Sequence, residues 1–253
     1  MLHKFRNIKG LKVIASDGEV GNVHDLDFDD ESWEIRYLVD DTGKWVENHL
    51  VLIPPALLGS RDWVEGKVPV SMSKEEVKNA QPRETDKPVE KQAMYSRLWA
   101  WPYIGVPMGG GIGMGMGAGS VAPIAPVPHE TATENQMPVE SEKGDPHLRS
   151  AKHVRGYHIH AAGGEIGHVE DFIVDDEAWA IRYMEVDIRN WLPGKKVLIS
   201  PLWIQSIGAA SREVFVNLDR DIIKTSPAYD EDKPVSREYE KELFKHYQKE
   251  GYW

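Results

Sequence analysis

The chain has 253 residues, with 30 Lys or Arg against 41 Asp or Glu for a net charge of −11, 41% hydrophobic residues and no cysteine. That length accommodates one or two domains with buried cores, and the lack of cysteine excludes a disulfide framework, a thiolate zinc site and a cysteine nucleophile. The acidic balance argues against gripping nucleic acid, which takes a concentrated Lys/Arg surface.

The amino terminus has basic residues but no following apolar run of secretory-signal length, so the cytoplasm is the expected compartment. From there the apolar period is two, the mark of half-buried strands. Leu11, Val13 and Ala15 alternate with Lys12 and Ile14, and Ser16-Asp17-Gly18 makes a turn. Val20, Asn22 and His24 follow, then Leu26 and Phe28 alternate with Asp25, Asp27 and Asp29. That alternation assigns the three aspartates to one solvated strand face rather than to a calcium loop, whose sixth position would need Gly where Asp30 stands. Asp29 to Ser32 forms the next turn, Trp33, Ile35, Tyr37 and Val39 continue as a strand, and Val51 to Ile53 ends at Pro54-Pro55. After Val68 and Val70, Ser73 and Glu76 are spaced as a capping box opening a short helix.

The same order then recurs at a constant offset of 146 positions. Gly10 meets Gly156, Gly18-Glu19 meets Gly164-Glu165, Gly21 meets Gly167 and Asp25 meets Asp171. Trp33, Ile35, Arg36 and Tyr37 meet Trp179, Ile181, Arg182 and Tyr183, and Val51 to Ile53 meets Val197 to Ile199. Such an ungapped match reads as a duplicated domain. The expected architecture is all-β: two small antiparallel barrels in tandem, each with a short terminal helix. The expected boundaries are residues 1–97 and 148–235 for the barrels, 98–147 for a flexible linker and 236–253 for a carboxyl-terminal helix and aromatic tail, each barrel folding independently.

The succession Gly18-Glu19-Val20-Gly21 with Val23 and Asp25, then Trp33 to Tyr37, then Val51 to Pro54, repeated in the second copy, resembles the PRC-barrel domain family. That family includes the cytoplasmic domain of photosynthetic reaction-centre H subunits, the carboxyl half of a ribosome-maturation factor and many small stand-alone proteins. The resemblance implies docking and regulation and carries no shared catalytic set.

Between the copies, Leu98 to Pro128 is uncharged and rich in Gly, Pro and Met, which reads as a linker rather than a transmembrane segment. Its Gly113 to Ala118 run matches a relaxed dinucleotide fingerprint but is followed by prolines, where a helix is required. Met108, Met114 and Met116 read as incidental linker residues. His153, His158, His160 and His168 crowd the start of the second copy, and His158 and His160 share one strand face, which makes them the candidate metal pair. Trp33 and Trp179 read as packing residues, with Arg36 and Arg182 reaching Asp25 or Asp171. At the carboxyl end a Ser236-capped helix presents Leu243, Phe244 and Tyr247 as an apolar stripe for attachment to a barrel or another subunit, with Glu240, Lys241 and Lys245 on other faces. Tyr95, Trp99 and Trp101 are its first-copy analogue.

The function expected is a non-catalytic binding, regulatory or assembly module with protein partners, a membrane-associated complex and a second copy of the chain among the candidates, and with no cofactor and no nucleic acid. Two alternatives stand beside it: an H-subunit-like photosynthetic accessory handling electron or proton transfer, and a metal-dependent hydrolase built on the His153 to His168 group.

Overall fold

The computed structural model describes residues 1–43, 50–59, 66–89, 145–188 and 194–253. Residues 98–144 of the linker, with its Gly and Met runs, Trp45, Trp191 and the Tyr95 to Trp101 segment lie outside these residues. The first half contains β1 (Leu2–Lys4), α1 (Phe5–Ile8), β2 (Lys12–Ala15), β3 (Gly18–Asp29), β4 (Ile35–Asp41), β5 (Leu50–Ile53), β6 (Lys67–Pro69) and α2 (Lys74–Lys78). The second contains β7 (Leu148–Ser150), α3 (Ala151–Val154), β8 (His158–Ala162), β9 (Gly164–Asp175), β10 (Ala180–Asp187), β11 (Lys196–Ile199), β12 (Ile204–Gly208), β13 (Glu213–Asp219), α4 (Arg220–Thr225) and α5 (Arg237–His246). The strand-rich, helix-poor character is the one the period-two pattern dictates. Ser73 caps α2 with the reciprocal Glu76 bond.

The strands form two sheets, ordered β5-β4-β3-β2-β6 and β11-β10-β9-β8-β13-β12. They depart from simple antiparallel barrels in two ways. β2 pairs β6, and β8 pairs β13, in parallel, and among the described residues neither ladder closes on itself.

The reason lies in the long strands β3 and β9, of twelve residues each. β2 covers only the first part of one edge of β3, from Gly18 to Asn22. The remainder, Asp27 to Asp29, takes β7 from the other half. Reciprocally, β1 leaves its own half and pairs Ile173 to Asp175 of β9. An open strand edge demands a partner, and here each half supplies the other's. Each exchanged strand continues into a short helix, so each half sends out one arm: β1–α1 and β7–α3. The arms dock in the same register, Lys4 opposite Ile173 and Ser150 opposite Asp27, at the sequence offset of 146.

A second contact joins the halves next to the arms. Trp33 and Trp179 have positive φ, 62° and 47°, a conformation seldom adopted by bulky residues. It turns each carbonyl toward the opposite half, where Trp33 O accepts from Ile181 N at 2.8 Å and Trp179 O from Ile35 N at 2.7 Å. Phe28 stacks on Trp33 and meets Phe172 across the junction at 5.6 Å. Buried residues of both halves thus form one continuous core. The recurrence of Trp-x-Ile reports this junction as well as local packing.

No described helix is long and apolar enough to cross a membrane.

Candidate functional site at the junction of the halves

Asp25, Asp27 and Asp171 are fully buried, which corrects the reading of one solvated aspartate face. Alternation places them opposite the apolar face correctly, but that second face is itself covered. On Asp25 the cover is the β7–α3 arm: Lys152 N donates to Oδ1 at 2.9 Å and Ser150 Oγ to Oδ2 at 2.5 Å. Arg83, 1% exposed, donates Nη2 to Asp25 at 2.7 Å and Nε to Asp27 at 2.9 Å. A buried carboxylate pair is stable only when so neutralised and hydrogen-bonded.

The second half repeats the arrangement with different chemistry. Arg6 N and Nε, on the β1–α1 arm, donate to Asp171 Oδ2 at 3.3 and 2.8 Å. Arg6 also reaches Glu170 at 3.2 Å and Glu185 at 3.4 Å. Lys4 pairs with Glu185 at 3.1 Å and Glu231 at 3.2 Å, and Lys196 with the same two at 3.0 and 2.8 Å. Hydrogen bonds from Lys196 and Lys4 pull the Glu231 carboxyl down to about 2. Farther along each arm a further carboxylate anchors it. Asp30 takes His147 at 3.0 Å and Arg149 at 2.6 Å, while Asp176 takes the Met1 amine and His3. Arg36 and Arg182 pair with Asp29 and Asp175, not with Asp25 and Asp171, because the arms occupy those sites.

The histidines do not converge. His158 and His160 share the outward face of β8, yet His158 pairs with Glu165 at 2.8 Å, and His160 pairs with Glu213 at 3.3 Å and stacks on Phe215. His153 Nδ1 lies 2.8 Å from Ser150 Oγ. His168 does join a set of donors, with Glu170 and Asp187, whose ligand atoms lie within 4.8 Å of one another. The other Glu170 oxygen is held by Arg6 and Lys196, so a metal there would compete with two cations.

Asp40, a residue that periodicity and the family resemblance leave unmarked, is fully buried, and among the described residues neither carboxylate oxygen has a hydrogen-bond partner. Burial, with Asp41 adding repulsion, raises it to about 7. Its oxygens fill the space over Gly21, where a Cβ would collide with them. The signal was present in the repeat: Val186 stands 146 positions on, an apolar residue buried in the core.

The tail helix α5 folds back on its own half. Leu243, Phe244 and Tyr247 are 0%, 2% and 5% exposed, with Trp203 against Tyr247 at 4.5 Å and Phe244 at 5.2 Å. The interaction they make is therefore internal. Glu240, placed off the apolar stripe, is nevertheless buried and accepts from Tyr183 at 2.8 Å and Tyr252 at 2.6 Å, because the closing Tyr252-Trp253 returns over the helix.

That return builds a groove of about 500 Å³ lined by Met1, Leu2, Arg182, Arg237, Tyr252 and Trp253. It shares Arg182 and Tyr252 with a neighbouring depression containing Trp33, Pro201 and Leu202. Arg182 and Arg237 lie over Tyr252 at 4.6 and 5.6 Å, and Arg237 over Trp253 at 4.6 Å.

Comparison with known families matches residues 2–77 to the PRC-barrel domain. No curated protein matches the chain.

Proposed function

We propose that this chain, whose residues 2–77 belong to the PRC-barrel domain family, is a non-catalytic binding or assembly module made of two PRC-barrel-like halves. The protein partner docks in the groove at their junction. One observation carries this reading. Among the described residues five large hydrophobic side chains are exposed, Met1, Leu202, Phe215, Ile222 and Trp253, and three of them line the joined depressions. Apolar residues gathered at one place, with Trp, Tyr and Arg around them, have the composition of an interface centre. The strongest charges, by contrast, are consumed in holding the halves together, which leaves little free chemistry for catalysis.

A photo-crosslinking residue at Leu202 or Trp253 tests the proposal in the native cell, with Phe215, outside the groove, as control. Discrete adducts of one mass at both groove positions and absent at 215 are expected. Adducts indistinguishable between groove and control positions, or none, would remove the groove as a docking site.

A further inference from the structure

We propose that the two arm-receiving sites are selective, each accepting the arm of the other half and rejecting the arm of its own half, through opposite placement of the neutralising cation. The partner of each site is thus fixed chemically as well as by chain connection.

The argument begins with the positions that correspond at an offset of 146. In the first half the acids are Asp25 and Asp27 and the cation is intrinsic, Arg83. The arm arriving there brings Ser150, a neutral hydroxyl donating to the same Asp25 oxygen that Arg83 binds. In the second half Tyr229 stands at the position of Arg83, Ile173 at that of Asp27 and Glu185 at that of Val39. The site is left with Asp171, Glu170, Glu185 and Glu231 against its own Lys196 and its own Arg155, the latter 3.7 Å from Asp171. The arm arriving there brings Lys4 and Arg6, which contact all four acids between them.

Exchanging the arms mismatches both sites. Lys4 in the place of Ser150 would set an ammonium beside the buried Arg83 guanidinium, where like charges in a low-dielectric setting repel strongly. Ser150 in the place of Lys4 would leave the fully buried Glu185 with Lys196 but without its arm-borne ammonium, and a buried carboxylate stripped of part of its neutralisation is destabilised. The backbone register fits either arm, since both dock identically. Discrimination therefore rests on positions 4 and 150 and their surroundings. The consequence is that the halves pair only unlike with unlike, and two chains exchanging arms would keep that rule.

The test uses the full chain with a protease site inserted after Gly111. After cutting, native mass spectrometry is expected to show one complex holding one of each fragment. Homodimers of either fragment, or separated monomers, would overturn the proposal. The full-length double variant Lys4→Ser with Ser150→Lys is expected to melt about 10 °C or more below the parent, and an unchanged melting temperature would overturn the charge rule. Should the double variant fail to fold, Ser150→Lys alone decides. Amide exchange protection of residues 148–152 should fall at least tenfold while that of residues 2–6 stays as in the parent, and equal protection of both arms refutes selectivity.

Discussion

Asp25 and Lys152, 127 positions apart, meet through a hydrogen bond of 2.9 Å from the backbone amide of the lysine to a carboxylate oxygen buried in the other half. Arg6 and Asp171 repeat it at 3.3 Å in the opposite sense. Because a main-chain donor is used, the contact tolerates the change from Arg to Lys between the arms, and it positions the arm independently of which side chain stands there.

Asp25→Ala removes the acceptor for Lys152, Ser150 and Arg83 at once and strands the buried guanidinium with Asp27 alone. A loss of about 3–5 kcal/mol is expected, measured by urea denaturation. Asp25→Asn keeps the shape and some of the bonds, so its loss should be the smaller of the two. Equal stability of Asp25→Ala and parent would show that the buried acid does not hold the arm.

Each half lacks a strand that only the other supplies, and one core spans both. Calorimetry of the full chain should therefore show a single transition whose van't Hoff and calorimetric enthalpies agree. Residues 1–97 made alone carry an uncovered edge on β3 and a buried acid pair without its arm, and should show no cooperative melt. Two resolved transitions in the full chain would restore the independent-domain expectation.

The strand pattern, the turns, the capping box and the repeat were legible because each is local or periodic. The exchange was not. Alternation shows that Asp25 and Asp27 face away from Leu26 and Phe28, but a polar face reads as solvated until something is known to cover it, and the cover comes from residues 83 and 148–152. The same blindness applied to Glu240, buried by a Tyr252 that closes the chain. The repeat itself held unused information: Asp40 against Val186, and His147 with Arg149 against Met1 with His3, are differences and matches at the same offset that mark where the halves diverged and where they are anchored.

Asp40 makes stability depend on pH in an unusual direction. Its carboxyl is raised in the folded protein to about 7 against about 4 when unfolded, so the folded state holds the extra proton between those values. The contribution of this group is full below about pH 4, declines as pH rises to 7 and is absent above, a change of roughly 4 kcal/mol. Asp40→Asn, which has no titratable proton to lose, should be the more stable protein at pH 8 and close to the parent only at about pH 3.5, below the unfolded carboxyl's range. Parallel stability–pH curves for the two would mean that Asp40 ionises without cost.

The tail offers the last prediction. Leu243 is buried in the core, Phe244 packs against Trp203 and Tyr183 and Tyr247 against Trp203, and a ten-residue helix has little stability of its own in water. The helix is therefore held by packing, and the packing is mutual: removing it uncovers two large aromatics and leaves the Tyr183 hydroxyl without Glu240. Leu243→Ala should cost about 2–5 kcal/mol, and deletion of residues 236–253 should cost more and expose Trp203, seen as a red shift in tryptophan emission. Lys241→Ala, on the exposed face of the same helix, should change stability by less than about 0.5 kcal/mol. If Leu243→Ala and Lys241→Ala behave alike, the helix is not seated on the sheet, and the groove formed by Tyr252 and Trp253 beside it loses its support.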